Sequence, residues 1–170
     1  MEERLKKIKL LLLDVDGVMT DGRIIFDSNG IESKFFNVKD GHGIKMLQRA
    51  GIEVGIISGR ESKVVANRAA ELGIERVIQK ALDKLSPYLK ILADCRLTDD
   101  EVAFIGDDLI DIPVLRRVGF AAAPADAVTE VIPFVHLVTK NSGGFGAVRE
   151  ISDLLLKAQG RWEELTARYF

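Results

Sequence analysis

Short apolar runs alternate along the chain with longer segments in which apolar residues recur every three or four positions. The runs have no polar face, which is typical of strands buried on both sides of a sheet. The spaced segments are typical of amphipathic helices that cover such a sheet. The predicted strands are residues 8–13, Glu53–Ile57, Arg76–Ile78, Val102–Ile105, Phe120–Ala123 and 135–138. Their alternation with helices predicts an α/β fold with a parallel sheet in three layers.

Capping residues indicate where the predicted helices begin and end. Asp40 is a candidate N-cap for a helix that stops at Gly51, and a second helix runs from Glu61 to Gly73. Further helices follow Lys84, cover residues 112–119 and occupy the carboxyl-terminal part of the chain after residues 140–150. These helices would form the two outer layers of the predicted fold.

Two β-prone segments, residues 23–26 and 33–38, flank the turn Asp27-Ser28-Asn29-Gly30. Such a turn predicts a β-hairpin, here a flap over about residues 23–38. The apolar side chains of this flap are Ile25, Phe26, Phe35 and Phe36. Because two strands alone bury little apolar surface, we expect the flap to pack against another subunit.

The composition suits one folded domain and excludes several classes of protein. The chain has 170 residues, 47% of them hydrophobic, so we expect a single domain over residues 1–170 with a carboxyl-terminal helix and tail over about 145–170. A net charge of −2 with mixed signs argues against a nucleic-acid partner. One cysteine excludes an intramolecular disulfide, the charged amino terminus is unlike a signal peptide, and no apolar run reaches the ~20 residues of a membrane span. We therefore expect a cytoplasmic protein with no membrane partner.

Carboxylates end two of the apolar runs. Asp14 and Asp16 follow the first run, and Asp107, with Asp108 and Asp111 close behind, follows another. If the two strands are parallel neighbours, these groups converge at one edge of the sheet, where α/β folds bind ligands. Each close pair repels by about 4 kcal/mol at ~4 Å and an effective dielectric of ~20, which a hard cation such as Mg²⁺ relieves. A strand followed by an ordinary Asp-Gly turn is the alternative for either motif taken alone.

A hydroxyl and a lysine follow two further strands, and the set suggests phosphoryl transfer through an aspartyl-phosphate. Asp14 is the candidate nucleophile, and Lys84 with a cation would hold the oxygens of the transferred group. Asp16 would protonate the leaving alcohol and then take a proton from the attacking water. Ser58, or the N–H groups beside it, would bind a phosphate oxygen, although a turn at the head of the next helix explains this serine as well.

These residues carry a resemblance to a known family. Asp14-Val15-Asp16-Gly17, Ser58-Gly59-Arg60, Lys84 and residues 106–111 resemble the four motifs of the haloacid dehalogenase-like phosphatases. Residues 14–22, 36–44 and 143–150 resemble more closely the subfamily that acts on 3-deoxy-D-manno-octulosonate 8-phosphate, abbreviated KDO 8-phosphate. The resemblance runs from about residue 10 to residue 156.

The resemblance implies a Rossmann-like domain without a cap, assembled as a homotetramer in which each flap helps to cover a neighbour's active site. It implies Mg²⁺ as cofactor, held by Asp14, the backbone carbonyl of Asp16, and Asp107. The implied reaction is hydrolysis of KDO 8-phosphate to KDO and phosphate, in the synthesis of lipopolysaccharide precursors. The implied substrate contacts are Asp16, Asn37, Val38, Lys39, Asp40, Gly41, Lys45, Arg60, Arg68 and Lys84.

Other interpretations stay open beside this one. Within the class, the substrate would be a nine-carbon sialic acid or ketodeoxynonulosonate phosphate. Outside the class of phosphatases, the chain would be a receiver-like module phosphorylated at Asp14, or a degenerate domain that only forms a tetramer. Asp16, as acid and base, favours an enzyme.

The chain departs from the family pattern at two positions. Lys45 and His42 stand where relatives often carry arginine and tyrosine, which bears on the sugar contacts, and Arg68 also suits a solvated helix face. The tail, residues 160–170, matches no pattern that assigns it a role.

Overall fold

The computed structural model describes residues 1–170 and contains eight strands. In chain order they are β1 (Leu10–Leu13), β2 (Ile25–Phe26), β3 (Glu32–Ser33), β4 (Glu53–Ile57), β5 (Arg76–Ile78), β6 (Val102–Ile105), β7 (Phe120–Ala123) and β8 (Leu137–Val138). Six of them form a parallel sheet in the order β5-β4-β1-β6-β7-β8. The other two, β2 and β3, form a separate antiparallel hairpin.

The helices are α1 (Glu2–Leu5), α2 (Val38–Arg49), α3 (Lys63–Leu72), α4 (Leu85–Cys95), α5 (Ile112–Leu115), α6 (Ala147–Ala158) and α7 (Trp162–Thr166). Short 3₁₀ helices lie at Asp99–Glu101, Leu109–Asp111, Thr129–Phe134 and Ala167–Tyr169. Residues of α2, α3 and α6 join the core on one face of the sheet, and residues of α4 and α5 join the core on the other. No helix has both the length and the apolar composition needed to cross a membrane.

β1 lies at the centre of the sheet, and its four leucines are fully buried. Leu11 and Leu13 pack in the core that contains α2, α3 and α6, whereas Leu10 and Leu12 pack in the core that contains α4 and α5. This division follows from the alternation of side chains along a strand. The predicted fold class, a three-layer α/β fold with a parallel sheet, is therefore confirmed.

Several element ends differ from the prediction, because neighbouring side chains cap the helices at other positions. α2 begins before Asp40, since Asn37 is the N-cap and its side chain accepts a hydrogen bond from the N–H of Lys39. α3 begins later than predicted, since Ser62 is the N-cap and accepts from the N–H of Val65. Two predicted elements are shorter in the structure, β8 with two residues and α5 with four.

The predicted hairpin is present, but its regular part is short. β2 and β3 pair over two residues each, and the rest of residues 23–38 forms turns and irregular chain. Phe26 and Phe35 are 55% and 65% exposed, whereas Ile25 and Phe36 are half-buried. Two aromatic side chains of the flap thus remain uncovered by this chain, as expected from the sequence.

Candidate active site

Three neighbouring strands bring predicted site residues to one edge of the sheet. β1 pairs in parallel with β4 on one side and with β6 on the other, so the carboxyl ends of the three strands lie together. Asp14, Ser58 and Asp107 follow these ends, and Lys84 reaches the same place from the amino terminus of α4. The expectation that the two carboxylate motifs follow parallel neighbouring strands is confirmed, and the edge is the usual ligand site of such sheets.

Asp14 is buried and held in one orientation. Its Oδ1 accepts a hydrogen bond from the N–H of Val15 at 2.7 Å and lies 2.8 Å from Nζ of Lys84. Burial, followed by the negative charge of Asp111, raises the pKa of Asp14 above its usual range, and Lys84 partly offsets this shift. No protein group donates to Oδ2, so that oxygen is free to react.

Lys84 is a buried cation between two buried carboxylates. Its side chain is 1% exposed, and Nζ lies 2.8 Å from Asp14 Oδ1 and 2.6 Å from Asp111 Oδ1. Asp111 is fully buried, and its other oxygen accepts from the N–H groups of Asp107 and Asp108. From the sequence, Asp111 was only one of several candidates; its spacing of three residues from Asp108, as in a capping box, is the signal that identifies it.

The environment of Asp107 suits a divalent cation. Its Oδ1 is buried and has no hydrogen-bond partner. Carboxylate oxygens of Asp14, Asp107 and Asp111 lie within 4.8 Å of one another. Burial raises the pKa of Asp107 to about 8, and the charges of these two neighbours add to the shift. Both oxygens of Asp111 already accept hydrogen bonds, whereas Oδ2 of Asp14 and Oδ1 of Asp107 do not. Asp14 and Asp107 are therefore the carboxylates that could hold an all-oxygen cation such as Mg²⁺.

Gly17 allows the loop after β1 to approach Asp107. Its φ is +88°, which favours glycine, and a Cβ at this position would lie 2.0 Å from Asp107 Oδ2. The turn that ends the first carboxylate motif therefore packs directly against the second motif. Any side chain at position 17 would displace the carboxylate of Asp107.

The carboxylate of Asp16 points toward the flap and is 21% exposed. Its Oδ1 lies 2.5 Å from Nζ of Lys34, and its Oδ2 lies 4.0 Å from Nε of Arg60. Arg60 also donates to Glu32 at 3.1 Å. Lys34 and Glu32 were not predicted as site residues, because the alternation of exposed and inward positions in residues 31–35 is visible only in the folded flap.

Ser58 is buried at the end of β4, and its Oγ lies 3.4 Å from the backbone nitrogen of Arg60. This contact is the turn-forming interaction that offered an alternative explanation for the serine. It does not exclude binding of a phosphate oxygen, because the hydroxyl hydrogen remains free to donate.

The segment before α2 joins the flap to the glycine-rich segment before α6. Asn37 donates from Nδ2 to the carbonyl of Gly144, and the side chain of Val38 is exposed. Asp40 was predicted as an N-cap of its own helix; instead it lies inside α2 and accepts from the N–H of Arg149 at 2.7 Å, in the first turn of α6. Burial raises the pKa of Asp40. Its second oxygen, Oδ2, is buried without a partner.

The remaining predicted substrate contacts lie along α2 and α3. Lys39 borders an open pocket of about 480 Å³ that is lined mainly by α6 and the chain before it, and Gly41 lies against the guanidinium of Arg68. Arg68 pairs with Glu71 at 2.9 Å. Lys45 donates to the carbonyl of Leu72 at 2.8 Å, at the end of α3. The structure thus brings Lys45 to a helix terminus rather than to the carboxylates.

Comparison with known proteins finds closely similar chains. Residues 38–119 match the family model of the haloacid dehalogenase-like hydrolases. The chain is 48% identical over 164 residues to the 3-deoxy-D-manno-octulosonate 8-phosphate phosphatase KdsC of Yersinia pestis, covering 96% of this chain and 88% of that protein. It is 48% identical over 159 residues to the protein of the same name from Escherichia coli K12, covering 94% and 85%.

A solved structure resembles the fold over nearly its whole length. It is the 3-deoxy-D-manno-octulosonate 8-phosphate phosphatase of Moraxella catarrhalis, in complex with a magnesium ion, a phosphate ion and a KDO molecule. The TM-score is 0.97 at 38% identity, covering 99% of this chain and 97% of that one. The similarity therefore extends through the flap and the carboxyl-terminal helices as well as the sheet.

Proposed function

The chain belongs to the haloacid dehalogenase-like hydrolases, and from this membership we propose that it is a Mg²⁺-dependent phosphatase that hydrolyses KDO 8-phosphate to KDO and inorganic phosphate. The observation that carries the proposal is the buried carboxylate of Asp14, which Lys84 holds beside the unpartnered oxygen of Asp107. Two relatives at 48% identity bear the name of this activity. The role in lipopolysaccharide precursor synthesis is part of the same proposal.

In the first half-reaction, Asp14 attacks the phosphorus of the substrate. A bond forms between a carboxylate oxygen of Asp14 and phosphorus, while the bond from phosphorus to the ester oxygen breaks. The carboxyl group of Asp16 gives its proton to that oxygen, so that the sugar acid leaves as an alcohol. Lys84, which touches Asp14, favours the ionised and reactive form of the nucleophile.

In the second half-reaction, water attacks the phosphorus of the aspartyl-phosphate. Asp16, now a carboxylate, takes a proton from this water, and the bond between Asp14 and phosphorus breaks. Inorganic phosphate leaves, and both carboxyl groups return to their starting state. Lys84 and the hydroxyl or N–H groups at Ser58 stabilise the oxygens of the phosphoryl group in both steps.

Asp14, Asp107 and the backbone carbonyl of Asp16 are the groups that we propose as ligands for Mg²⁺. When bound, the ion supplies positive charge that offsets the charge developing on the transferred phosphoryl group. The support for this site is the close approach of the buried carboxylates and the unpartnered Oδ1 of Asp107.

For the sugar acid, we propose contacts with Arg60 and with the segment from Asn37 to Gly41, together with Lys45 and Arg68. Arg60 has a guanidinium that binds carboxylates bidentately, and it lies near Asp16 at the edge of the site. Lys45 and Arg68 have the weakest support, because each already has a partner within the chain.

The test of the function is phosphate release from a panel of sugar phosphates, with Mg²⁺ and again with EDTA. We expect release that requires Mg²⁺ and strongly favours KDO 8-phosphate. A preference for a nine-carbon sialic or ketodeoxynonulosonate phosphate would retain the mechanism and change the substrate. No release from any ester would overturn the proposal and favour a non-catalytic module.

Binding of Mg²⁺ should stabilise the folded protein more at alkaline than at acidic pH. The pKa of Asp107 in the folded state is about 8, against an ordinary value of 3.8. Between these two pH values the folded state keeps a proton on this carboxyl group that the unfolded state has lost. Without Mg²⁺, the unfolding free energy should fall as the pH rises, by up to about 1.4 kcal/mol per pH unit for each such carboxyl group. Mg²⁺ replaces this proton, so its stabilising effect should grow over the same range.

Thermal unfolding with Mg²⁺ and with EDTA, at about pH 5.5 and about pH 8.5, measures this difference. The variant Asp107→Asn is the control, and its unfolding temperature should respond little to Mg²⁺ at either pH. An equal effect of Mg²⁺ on the unmodified protein at both pH values would contradict the proposed ligands.

We propose that the chain forms a homotetramer in which flaps cover neighbouring active sites. The support is the exposure of Phe26, Ile31 and Phe35 on the flap, of Leu82 on the loop after β5, and of Leu109 at the start of the 3₁₀ helix after β6. These apolar groups suit contacts between copies of the chain. Light scattering after size exclusion should give four times the 18.8 kDa chain mass.

The variant Phe35→Ser should shift this assembly toward smaller species, because it removes an exposed aromatic group from the flap. Leu89→Ser, which alters a partly exposed leucine on α4, should keep the mass of the unmodified protein. A monomeric unmodified chain at micromolar concentration would remove the basis for the tetramer.

We also propose a cytoplasmic location. The single cysteine, Cys95, is unpaired, which is usual in reducing compartments. Fractionation of cells that produce a tagged chain measures the location directly, and recovery in a membrane or periplasmic fraction would contradict it.

A further inference from the structure

The flap turns charged side chains toward its own active site and apolar side chains away from it. In residues 31–35 the odd-numbered positions are exposed, and the even-numbered positions face inward. The inward positions are Glu32 and Lys34, whereas the outward ones include Ile31 and Phe35. A hairpin that served only to cover the domain would bury its apolar face instead, so the inward charges need another explanation.

Lys34 is a buried cation whose main partner is a carboxylate at the site. Its side chain is 1% exposed, although the residue lies on a surface hairpin. Nζ lies 2.5 Å from Asp16 Oδ1 and 3.4 Å from Glu32 Oε1. Because a buried ammonium group is unfavourable without anionic partners, these two contacts fix where the lysine can lie.

Glu32 fixes the same part of the flap to the loop after β4. It accepts from Nη2 of Arg60 at 3.1 Å, and from the hydroxyl of Ser62, which is the N-cap of α3. Glu32, which lies beside the ammonium of Lys34, is thus tied to the amino terminus of α3. Lys34 makes the closest side-chain contact with Asp16, since Arg60 is farther away at 4.0 Å.

We propose that Lys34 is a positioning residue, which holds Oδ1 of Asp16 and thereby turns the other oxygen, Oδ2, which gives and takes the proton, toward the leaving oxygen of the substrate. The inference rests on the proposed function, in which Asp16 is the acid of the first half-reaction. Asp16 is two residues beyond the nucleophile, on a loop, and it has several accessible rotamers. The contact with Lys34 selects one of them before the substrate arrives, which avoids the loss of conformational entropy during the reaction.

The dependence of the rate on the leaving group distinguishes this role from a structural one. Esters of acidic phenols release their oxygen without help, whereas esters of alcohols need the proton from Asp16. If Lys34 positions the acid, its loss should mainly slow the hydrolysis of alcohol esters. A loosened flap or a smaller folded fraction would slow all simple esters alike.

The experiment measures kcat/KM for p-nitrophenyl, phenyl and ethyl phosphate with the unmodified protein and the variants Lys34→Met, Lys34→Gln and Lys34→Arg. For Lys34→Met we expect a loss of about 30-fold or more with ethyl phosphate and less than about 3-fold with p-nitrophenyl phosphate. Lys34→Gln should behave similarly, and Lys34→Arg should recover most of the activity with ethyl phosphate. Arg23→Met removes an exposed cation from the same flap and should match the unmodified protein.

The outcomes separate this inference from the proposed function. If the unmodified protein hydrolyses neither KDO 8-phosphate nor these simple esters, the proposed function fails, and the inference fails with it. If it hydrolyses them and the variants lose activity equally on all three esters, only the positioning role is overturned. Loss of the folded state in both Lys34→Met and Lys34→Gln, seen by circular dichroism, would also overturn it, because the lysine would then be needed for stability.

Discussion

Replacing Asp14 by asparagine is expected to lower kcat by about 10⁴-fold or more and to leave the fold intact. The amide matches the carboxyl group in size but cannot form the bond to phosphorus. Burial and the charge of Asp111 raise the pKa of Asp14, so the folded state does not depend on its negative charge. Phosphate release and thermal unfolding, measured on the same preparation, check both parts of this expectation.

Asp83→Asn is the matched control for this substitution. Asp83 is exposed, precedes Lys84 in the chain and accepts from the N–H of Leu85 at the start of α4. Asparagine caps helices as well as aspartate does, so activity should stay within about twofold. Activity of Asp14→Asn within tenfold of the unmodified protein, with mass spectrometry excluding deamidation, would show that another group is the nucleophile.

The sequence predicts the sheet well because its strands have a strong local signal. The four leucines of β1 have no polar neighbour among them, and only a strand buried on both faces accommodates them. Parallel pairing then brings the ends of β1, β4 and β6 together. Asp14, Ser58 and Asp107 are near one another for this reason alone. The part of the site that depends on strand ends was therefore open to prediction.

The contacts that depend on folding of loops were not open to prediction in the same way. Lys34 meets Asp16 only because the flap folds back over the loop after β1, and nothing local to either residue specifies this. Asp40 was assigned to the wrong role because Asn37, three residues earlier, satisfies the same capping rule. Its real partner, the first turn of α6, is far away in the sequence. Long-range polar contacts of this kind leave no periodic pattern.

Replacing Lys84 by methionine is expected to reduce the unfolding free energy by about 3–5 kcal/mol at neutral pH without Mg²⁺, a fall in Tm of roughly 6–20 °C. The substitution leaves the buried carboxylates of Asp14 and Asp111 without their cation. Without Lys84, the pKa of Asp14 would rise further. The loss of unfolding free energy should therefore shrink at acidic pH, where Asp14 stays protonated in the folded state, and grow as the pH rises. Denaturant unfolding at several pH values measures the effect.

Adding Asp111→Asn to Lys84→Met should recover at least about 1 kcal/mol, because the two substitutions act on one network. The asparagine removes one buried charge, and its oxygen can still accept from the N–H of Asp107. Its neutral amide no longer repels Asp14, whose carboxylate lies within 4.8 Å of this position. Asp111→Asn alone should instead destabilise the protein, since its amide would face the ammonium of Lys84.

Lys90→Met, on the exposed side of α4, should change stability by less than about 0.5 kcal/mol. If Lys84→Met matched this control at neutral pH, the lysine would not be balancing the buried carboxylates, and its role in holding Asp14 for attack would lose its physical basis.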